Sequence, residues 1–439
     1  MVLPPMVAVR QRFPRPRLED PRAAAREGLA RLLPPLRGRR VGVTAGSRGI
    51  RDIVPVLQGV LEALRAAGAE AVVVAAMGSH GGGTAEGKRR VLAHLGVTEA
   101  TVGAPVLSGA EVVEIGRTPS GYTVYLDAHA AACDGLVAVN RVKPHTAFRD
   151  PIGSGLLKML AVGLGNAPGA AQLHRLGAGE MPRAITEVAT ALVATGRVLA
   201  GVAILENAYD ETARVEVLPP DAIAAREPEL FAQARAWMPR LPVDTVDVLV
   251  VDEMGKTFSG TGMDVNVIGR WRHPEVPDPD APRVRRIVAL RLTDASEGNA
   301  QGVGLADVVT RRLAEAIDFG ATYLNAIVST YLERAFLPLV APSDRAAVAV
   351  AVRTLGLYDP AAVRIVRIPN TLHLERLWVS PAVAAELQGV AGVTLGRTAP
   401  WRFTPTGDLE EWGPAAWDVD EDAAGAAPDA PGRSRDPRP

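Results

Sequence analysis

Apolar β-branched runs ending in glycine alternate with stretches of helical spacing through the first half of the chain. Residues 40–46, "RVGVTAG", read as a buried strand. Residues 52–69, "DIVPVLQGVLEALRAAGA", repeat apolar positions at helical intervals and stop at glycine. The alternation continues with a strand at 70–77, a helix at 84–96 and a strand at 135–142. Helical stretches follow near 154–165, 168–176 and 181–195, then a strand at 198–205. Strands alternating with helices of this length predict a mostly parallel sheet covered on both faces.

The pattern changes near 240–245. "MPRLPVDTVD" is a proline-marked linker, and "VDVLVVDEMGK" starts a new strand–loop unit. Beyond it lie strands at 284–292 and 362–369 and helices near 304–316 and 342–354. The expected fold is α/β: two α/β domains with mostly parallel sheets and an active-site cleft between them. The expected division is an N-terminal domain over 1–242, completed by 371–398, and a C-terminal domain over 243–370. After about residue 400 the sequence turns to Asp, Ala, Pro and Gly, so 400–439 reads as a disordered tail. No internal repeat is visible.

Composition narrows the function classes. A net charge of −1 leaves no basic surplus for nucleic acid or an anionic membrane surface. The single cysteine, Cys133, excludes an internal disulfide framework and a thiolate-held iron–sulfur cluster. The N-terminal stretch has no sustained apolar core of signal-peptide length and no run reaches a membrane span, so a soluble cytoplasmic protein is expected. Only four lysines occur, Lys88, Lys143, Lys158 and Lys256, although Lys and Arg together number 48. Arginine cannot be deprotonated, so lysines kept in an arginine-rich chain invite a chemical question.

In parallel sheets, ligands bind beyond the carboxyl ends of the strands. Three glycine-bearing loops occupy such positions: "TAGSRGI", "MGSHGGGT" and "NRVKPHTAFRDPIGSG". A fourth, "DEMGKTFSGTGMD", does so in the second half. "VGVTAGSRGI" has the look of the short-chain dehydrogenase fingerprint, but none of the six tyrosines has the lysine four positions on that such enzymes need. What survives is a phosphate-contacting loop or a plain tight turn, with Arg48 able to grip a carboxylate or phosphate. His80 and His145 follow strands on two of these loops. Two histidines on opposite faces of a substrate carbon suit a racemase, one removing a proton and the other delivering one.

Lys158 lies among Leu156, Leu157, Met159 and Leu160, where a charged amine is costly unless neutral, paired or covalently used. A snorkelling lysine at a helix edge, a Schiff base with pyridoxal phosphate and covalent attachment of another cofactor all fit that position.

The set of loops resembles the nickel-pincer lactate racemase family and its homologues acting on other 2-hydroxy acids. "GSRG" carries Arg48, "MGSHGGGT" carries His80 and "KPHTAF" carries His145. Lys158 follows at a glycine-led helix start, and His174 sixteen residues further on. The resemblance implies a nickel-pincer nucleotide, pyridinium-3-thioamide-5-thiocarboxylic acid mononucleotide, with Ni held between ring carbon and sulfurs. It implies a covalent link at Lys158 and nickel ligation by His174. The cofactor takes a hydride from carbon 2 of the acid and returns it to either face, with His80 and His145 exchanging the hydroxyl proton. Arg48 and Lys256 are the expected substrate contacts, and Thr44, Ser47, Gly81 and Gly155 the expected cofactor contacts. The glycines before Lys158 are expected to let the cofactor lie against the backbone. Implied partners are a small 2-hydroxy acid, the enzymes that make the cofactor and insert nickel, and a second copy in a homodimer.

The chain departs from the family in three places. Ala45 stands where an Asp is usual, the interval from His145 to Lys158 is longer, and the usual Gln and Lys pair of the second domain has no clear match. A non-catalytic protein binding a nucleotide or small acid on the same fold is the alternative reading; a pyridoxal phosphate enzyme leaves His174 unexplained.

Overall fold

Valine runs and glycine stops build two sheets of mostly parallel strands. The computed structural model describes residues 3–146, 148, 151–273, 275–357 and 359–410. The chain separates into two units, one of Arg15–Met238 and one of Met1–Pro14 with Pro239–Pro439.

In the unit of Arg15–Met238, six strands lie in the order Val106–Leu107, Glu70–Ala75, Arg40–Ala45, Gly135–Arg141, Val198–Glu206, Thr212–Leu218. All neighbours are parallel except the last pair, which is antiparallel. Val41, Val43, Val73, Val137, Val139 and Val202 are buried in the core together with the apolar face of the helix Ile53–Ala66. Burial on both faces explains why these strands read as continuous apolar runs. A separate antiparallel hairpin, Val112–Arg117 with Thr123–Asp127, has no such run to announce it, because its first strand has no buried residue.

The other unit carries an eight-stranded sheet. Five strands are parallel: Leu339–Ala341, Val308–Thr310, Arg283–Leu292, Thr245–Met254 and Ile365–Ile368. Arg376–Val379, Met6–Gln11 and Val393–Ala399 extend it in antiparallel fashion.

Three expectations are corrected here. Residues 371–398 do not complete the first domain. Their two strands flank Met6–Gln11 in the second sheet, where Val7 faces Val379 and Val9 faces Leu377. The N-terminal strand therefore belongs to this unit as well, a long-range pairing that no local pattern encodes. The helix expected over 304–316 holds a strand at Val308–Thr310 before the helix Arg311–Glu315, as its β-branched Val-Val-Thr prefers. Residues 400–410 are ordered: Trp401 Nε1 donates to the Pro4 carbonyl at 3.0 Å, and Trp401 and Leu409 pack on the core. The rest of the expected tail, 411–439, lies outside the described residues. Among the described residues no helix is long and apolar enough to cross a membrane.

Candidate active site

The loops that follow the parallel strands of the Arg15–Met238 unit bring most of the expected residues together. Glu206, at the end of its strand, fixes the first loop: its carboxylate accepts the Arg51 N–H at 2.8 Å and pairs with Arg141. Ser47 and Arg48 project from the loop so held. The second loop turns through Gly81, Gly82 and Gly83, all with positive φ. A Cβ on Gly81 would stand 2.5 Å from the Gly87 carbonyl carbon, so only glycine lets this loop sit on the helix Ala85–His94. Thr84 caps that helix, accepting the Gly87 N–H at 3.0 Å. The two loops meet through a hydrogen bond between Ser47 Oγ and His80 Nδ1. Ser47, expected at the cofactor, thus also holds the His80 ring.

His145 and Lys158 converge from the third loop and the helical turn after it. Lys158 Nζ lies 2.5 Å from His145 Nε2, and the His145 ring stacks on Phe148 with centroids 4.3 Å apart. Lys158 ends the short helix Leu156–Lys158 and leads into a π-helical turn, Met159–Gly163. Such turns recur at functional sites because they re-aim one side chain without ending the helix. The turn packs closely under the His80 loop: the Gly78 N–H donates to the Gly163 carbonyl at 3.1 Å. Desolvation, aided by the nearby positive charge of Arg48, pulls the Lys158 amine down to about 7, although the side chain keeps some exposure. A lysine held there is in large part an uncharged nucleophile at neutral pH.

His174 ends the helix Asn166–His174. Its Nδ1 is buried with no hydrogen-bond partner, and burial, reinforced by the positive charge of Lys158, lowers the ring to about 4. A neutral imidazole with an unspent buried nitrogen is the donor a nickel ion would take. Among the described residues no three His, Cys, Asp or Glu side chains gather around one point. A metal here would therefore draw on at most two such side chains and obtain its other donors from a bound group. The residues present fit the nickel-pincer nucleotide in those two respects, an uncharged lysine for the link and one unengaged imidazole for the metal.

Other expected contacts find different roles. Thr44 is fully buried, and its hydroxyl donates to the Val139 carbonyl at 3.2 Å and accepts the Val139 N–H at 2.8 Å. It stitches two strands and has no proton left to donate to a cofactor. Thr44→Val is accordingly expected to cost about 1–3 kcal/mol in urea unfolding, with cofactor content unchanged; loss of cofactor at unchanged stability would restore the original assignment. Gly155 is glycine for a protein neighbour: a Cβ there would stand 2.4 Å from Glu227 Oε1. Gly153 likewise lies against the Lys143 carbonyl and the Phe231 ring, so these glycines admit protein atoms where a cofactor was expected. Just beyond "TAGSRGI", the Arg51 amide is taken by Glu206. Lys256 belongs to the other unit, where its amine donates to the Gly260 carbonyl at 2.8 Å and to Asn325.

Two buried residues near the site had no role assigned to them from the sequence. Lys88 is fully buried under the second loop and donates to the Gly109 carbonyl at 2.7 Å and to the Asn166 side chain. Asn166, at φ 48° and fully buried, donates in turn to Asp127 at 2.7 Å. This network ties the helix behind His80 to the start of the helix that ends in His174. Glu227 is also fully buried; its Oε2 accepts the Leu157 N–H at 2.9 Å while its Oε1 has no partner. Burial pushes its carboxyl up to about 7, against the pull of the Leu157 and Leu156 N–H groups. The scarcity of lysine pointed at Lys88, but nothing in "AREPEL" distinguishes Glu227 from a surface glutamate.

Comparison with known proteins finds a likeness over the segment that holds the site. Residues 47–174 match the model of the lactate racemase N-terminal domain, a span running from Ser47 to His174 and containing all the residues just assembled around Lys158 except the supporting Glu206 and Glu227. The lactate racemase apoprotein from Thermoanaerobacterium thermosaccharolyticum shares the chain's fold, with a TM-score of 0.50 and 11% identity over 84% of this chain and 99% of that one. A protein from Thermotoga maritima aligns with a TM-score of 0.47 and 12% identity over 80% and 97%. No curated protein matches the sequence. The likeness to the lactate racemase N-terminal domain thus covers the segment that holds the site, and the distant structural likeness adds the α/β architecture.

Proposed function

We propose that this protein belongs to the lactate racemase family and is a racemase or epimerase of a 2-hydroxy acid that works with a nickel-pincer nucleotide linked to Lys158. The observation that carries the reading is the pairing of an amine brought to about 7 with a buried imidazole nitrogen that has no partner, both within residues 47–174. Bound there, the cofactor supplies the acceptor for the hydrogen on carbon 2. Lys158 anchors it, and His174 presents a neutral nitrogen to nickel. Arg48, on a loop braced by Glu206, offers a planar fork to the substrate carboxylate. His80 and His145 hold and move the proton of the substrate hydroxyl, one for each enantiomer. Ser47 keeps the His80 ring in place. His145, which now shares a hydrogen bond with the Lys158 amine, takes the substrate hydroxyl in its stead. The enzymes that make the cofactor and insert nickel are the partners this reading requires.

The test uses protein purified from its native host. One nickel per chain, a mass adduct on the Lys158 peptide and loss of optical activity from an enantiopure 2-hydroxy acid are expected. Unmodified Lys158 in a protein that still racemises would overturn the reading. His80→Ala and His145→Ala are each expected to slow racemisation by about 10^2- to 10^4-fold at unchanged nickel content. A non-catalytic binding protein would show no turnover for either substitution to remove.

A further inference from the structure

The turn that presents Lys158 is held from outside by a helix to which the reading above gives no part. The amides opening a helix have no partner within it and need an external acceptor. A local cap would be Ser, Asp or Asn at position 155, yet Gly155 stands there and has no side chain to offer. Glu227 does the work from the helix Ile223–Ala236, its Oε2 accepting the Leu157 N–H at 2.9 Å. Phe231, one helical turn further on, packs against Gly153 as Glu227 does against Gly155, so the same helix braces both glycines. From the other side Asn140 Nδ2 donates to the Gly155 carbonyl at 2.8 Å. A buried carboxylate with one oxygen unpartnered is a costly device for capping three residues, and such costs concentrate at sites that need an aimed side chain.

We infer that Glu227 is a positioning residue for Lys158: seated on the amide of Leu157, its carboxylate holds the turn in the orientation that aims the Lys158 amine at His145. Its value to catalysis rests on Lys158 being the cofactor anchor; its test does not.

The unloaded full-length protein is treated with acetic anhydride at one pH, and labelling of Lys158 is compared with that of Lys88, Lys143 and Lys256 by peptide mass. Glu227→Gln, which keeps an acceptor oxygen at the same reach, is expected to label Lys158 within about threefold of the parent protein. Glu227→Asp keeps the charge but is one methylene short of Leu157, and Glu227→Ala removes the acceptor. Both are expected to change the relative labelling of Lys158 by about tenfold or more and to speed hydrogen exchange at Leu157. A cap with no bearing on the lysine would move the exchange alone. Should Glu227→Ala fail to fold, Glu227→Asp decides. A folded Glu227→Asp or Glu227→Ala protein with parental Lys158 labelling overturns the inference. Altered labelling in a protein that never acquires nickel or an adduct would leave the inference standing and remove the proposed function.

Discussion

Lys158→Arg is expected to yield a folded protein with no adduct, no nickel and racemisation reduced on the order of 10^3-fold or more. Arginine keeps the positive charge and most of the stem, so packing among Leu156, Leu157 and Met159 changes little, but it has no accessible neutral form and cannot make the covalent link. Intact mass, metal analysis and polarimetry read the three outcomes separately; a Lys158→Arg protein that still carries the adduct sinks the assignment of the anchor. The environment that makes the amine reactive also sets two pH dependences. With the amine brought to about 7, its uncharged fraction falls about tenfold per pH unit below that value, and attachment of the cofactor should slow in step. The folded protein holds that proton less well than the unfolded chain, so desolvation weighs against folding in full below pH 7. The penalty lifts as the pH rises from about 7 towards the roughly 10.4 of an unfolded lysine. Lys158→Met, which removes the charge, is therefore expected to melt higher than the parent protein at pH 7 and to lose that advantage at high pH.

What could be read from the sequence follows from what is local. The strands Arg40–Ala45, Glu70–Ala75, Gly135–Arg141 and Val198–Glu206 are buried on both faces, so each announces itself as a short apolar run. The site loops sit at their carboxyl ends because parallel strands leave their catalytic loops there. The pairing of Met6–Gln11 with strands more than 360 residues away was hidden, since register between distant segments leaves no mark in either. The same limit applies to side chains. His145 and Lys158 lie within one stretch and could be linked by motif. Glu227 reaches Leu157 from 70 residues on, and Ser47 reaches His80 across 33. The glycines before Lys158 were visible, but whether they make room for a cofactor or for Glu227 depends on which helix lies behind them. Thr44 misled for a related reason: a threonine at a strand end can serve a ligand or a neighbouring strand, and only the Val139 contacts decide.

Lys88→Met should be the most damaging change outside the loops. Met fills much of the same volume, so the expected loss is polar: the part-buried Gly109 carbonyl and the buried Asn166 side chain are left without their donor. Two abandoned acceptors place the cost at about 2–5 kcal/mol, a fall in melting temperature on the order of 10 °C for this unit. Burial lowers the Lys88 amine and the Asp127 carboxylate partly restores it, so the folded state releases this proton before the unfolded chain does. Stability contributed by Lys88 therefore rises with pH up to the unfolded lysine's value, and the deficit of Lys88→Met should widen along that range. The network also binds the helix behind His80 to the residue that starts the helix of His174, so nickel content should fall even at temperatures where the variant stays folded. A double-mutant cycle separates the two partners. Asn166 sits at φ 48°, where glycine is tolerated, so Asn166→Gly removes the amide without straining the backbone. If the amine is held chiefly by that amide, the two substitutions together should cost at least about 1 kcal/mol less than their sum. Strict additivity would mean that Gly109 and Asp127 carry Lys88 alone, and that the link between the two histidine-bearing segments runs through some other contact.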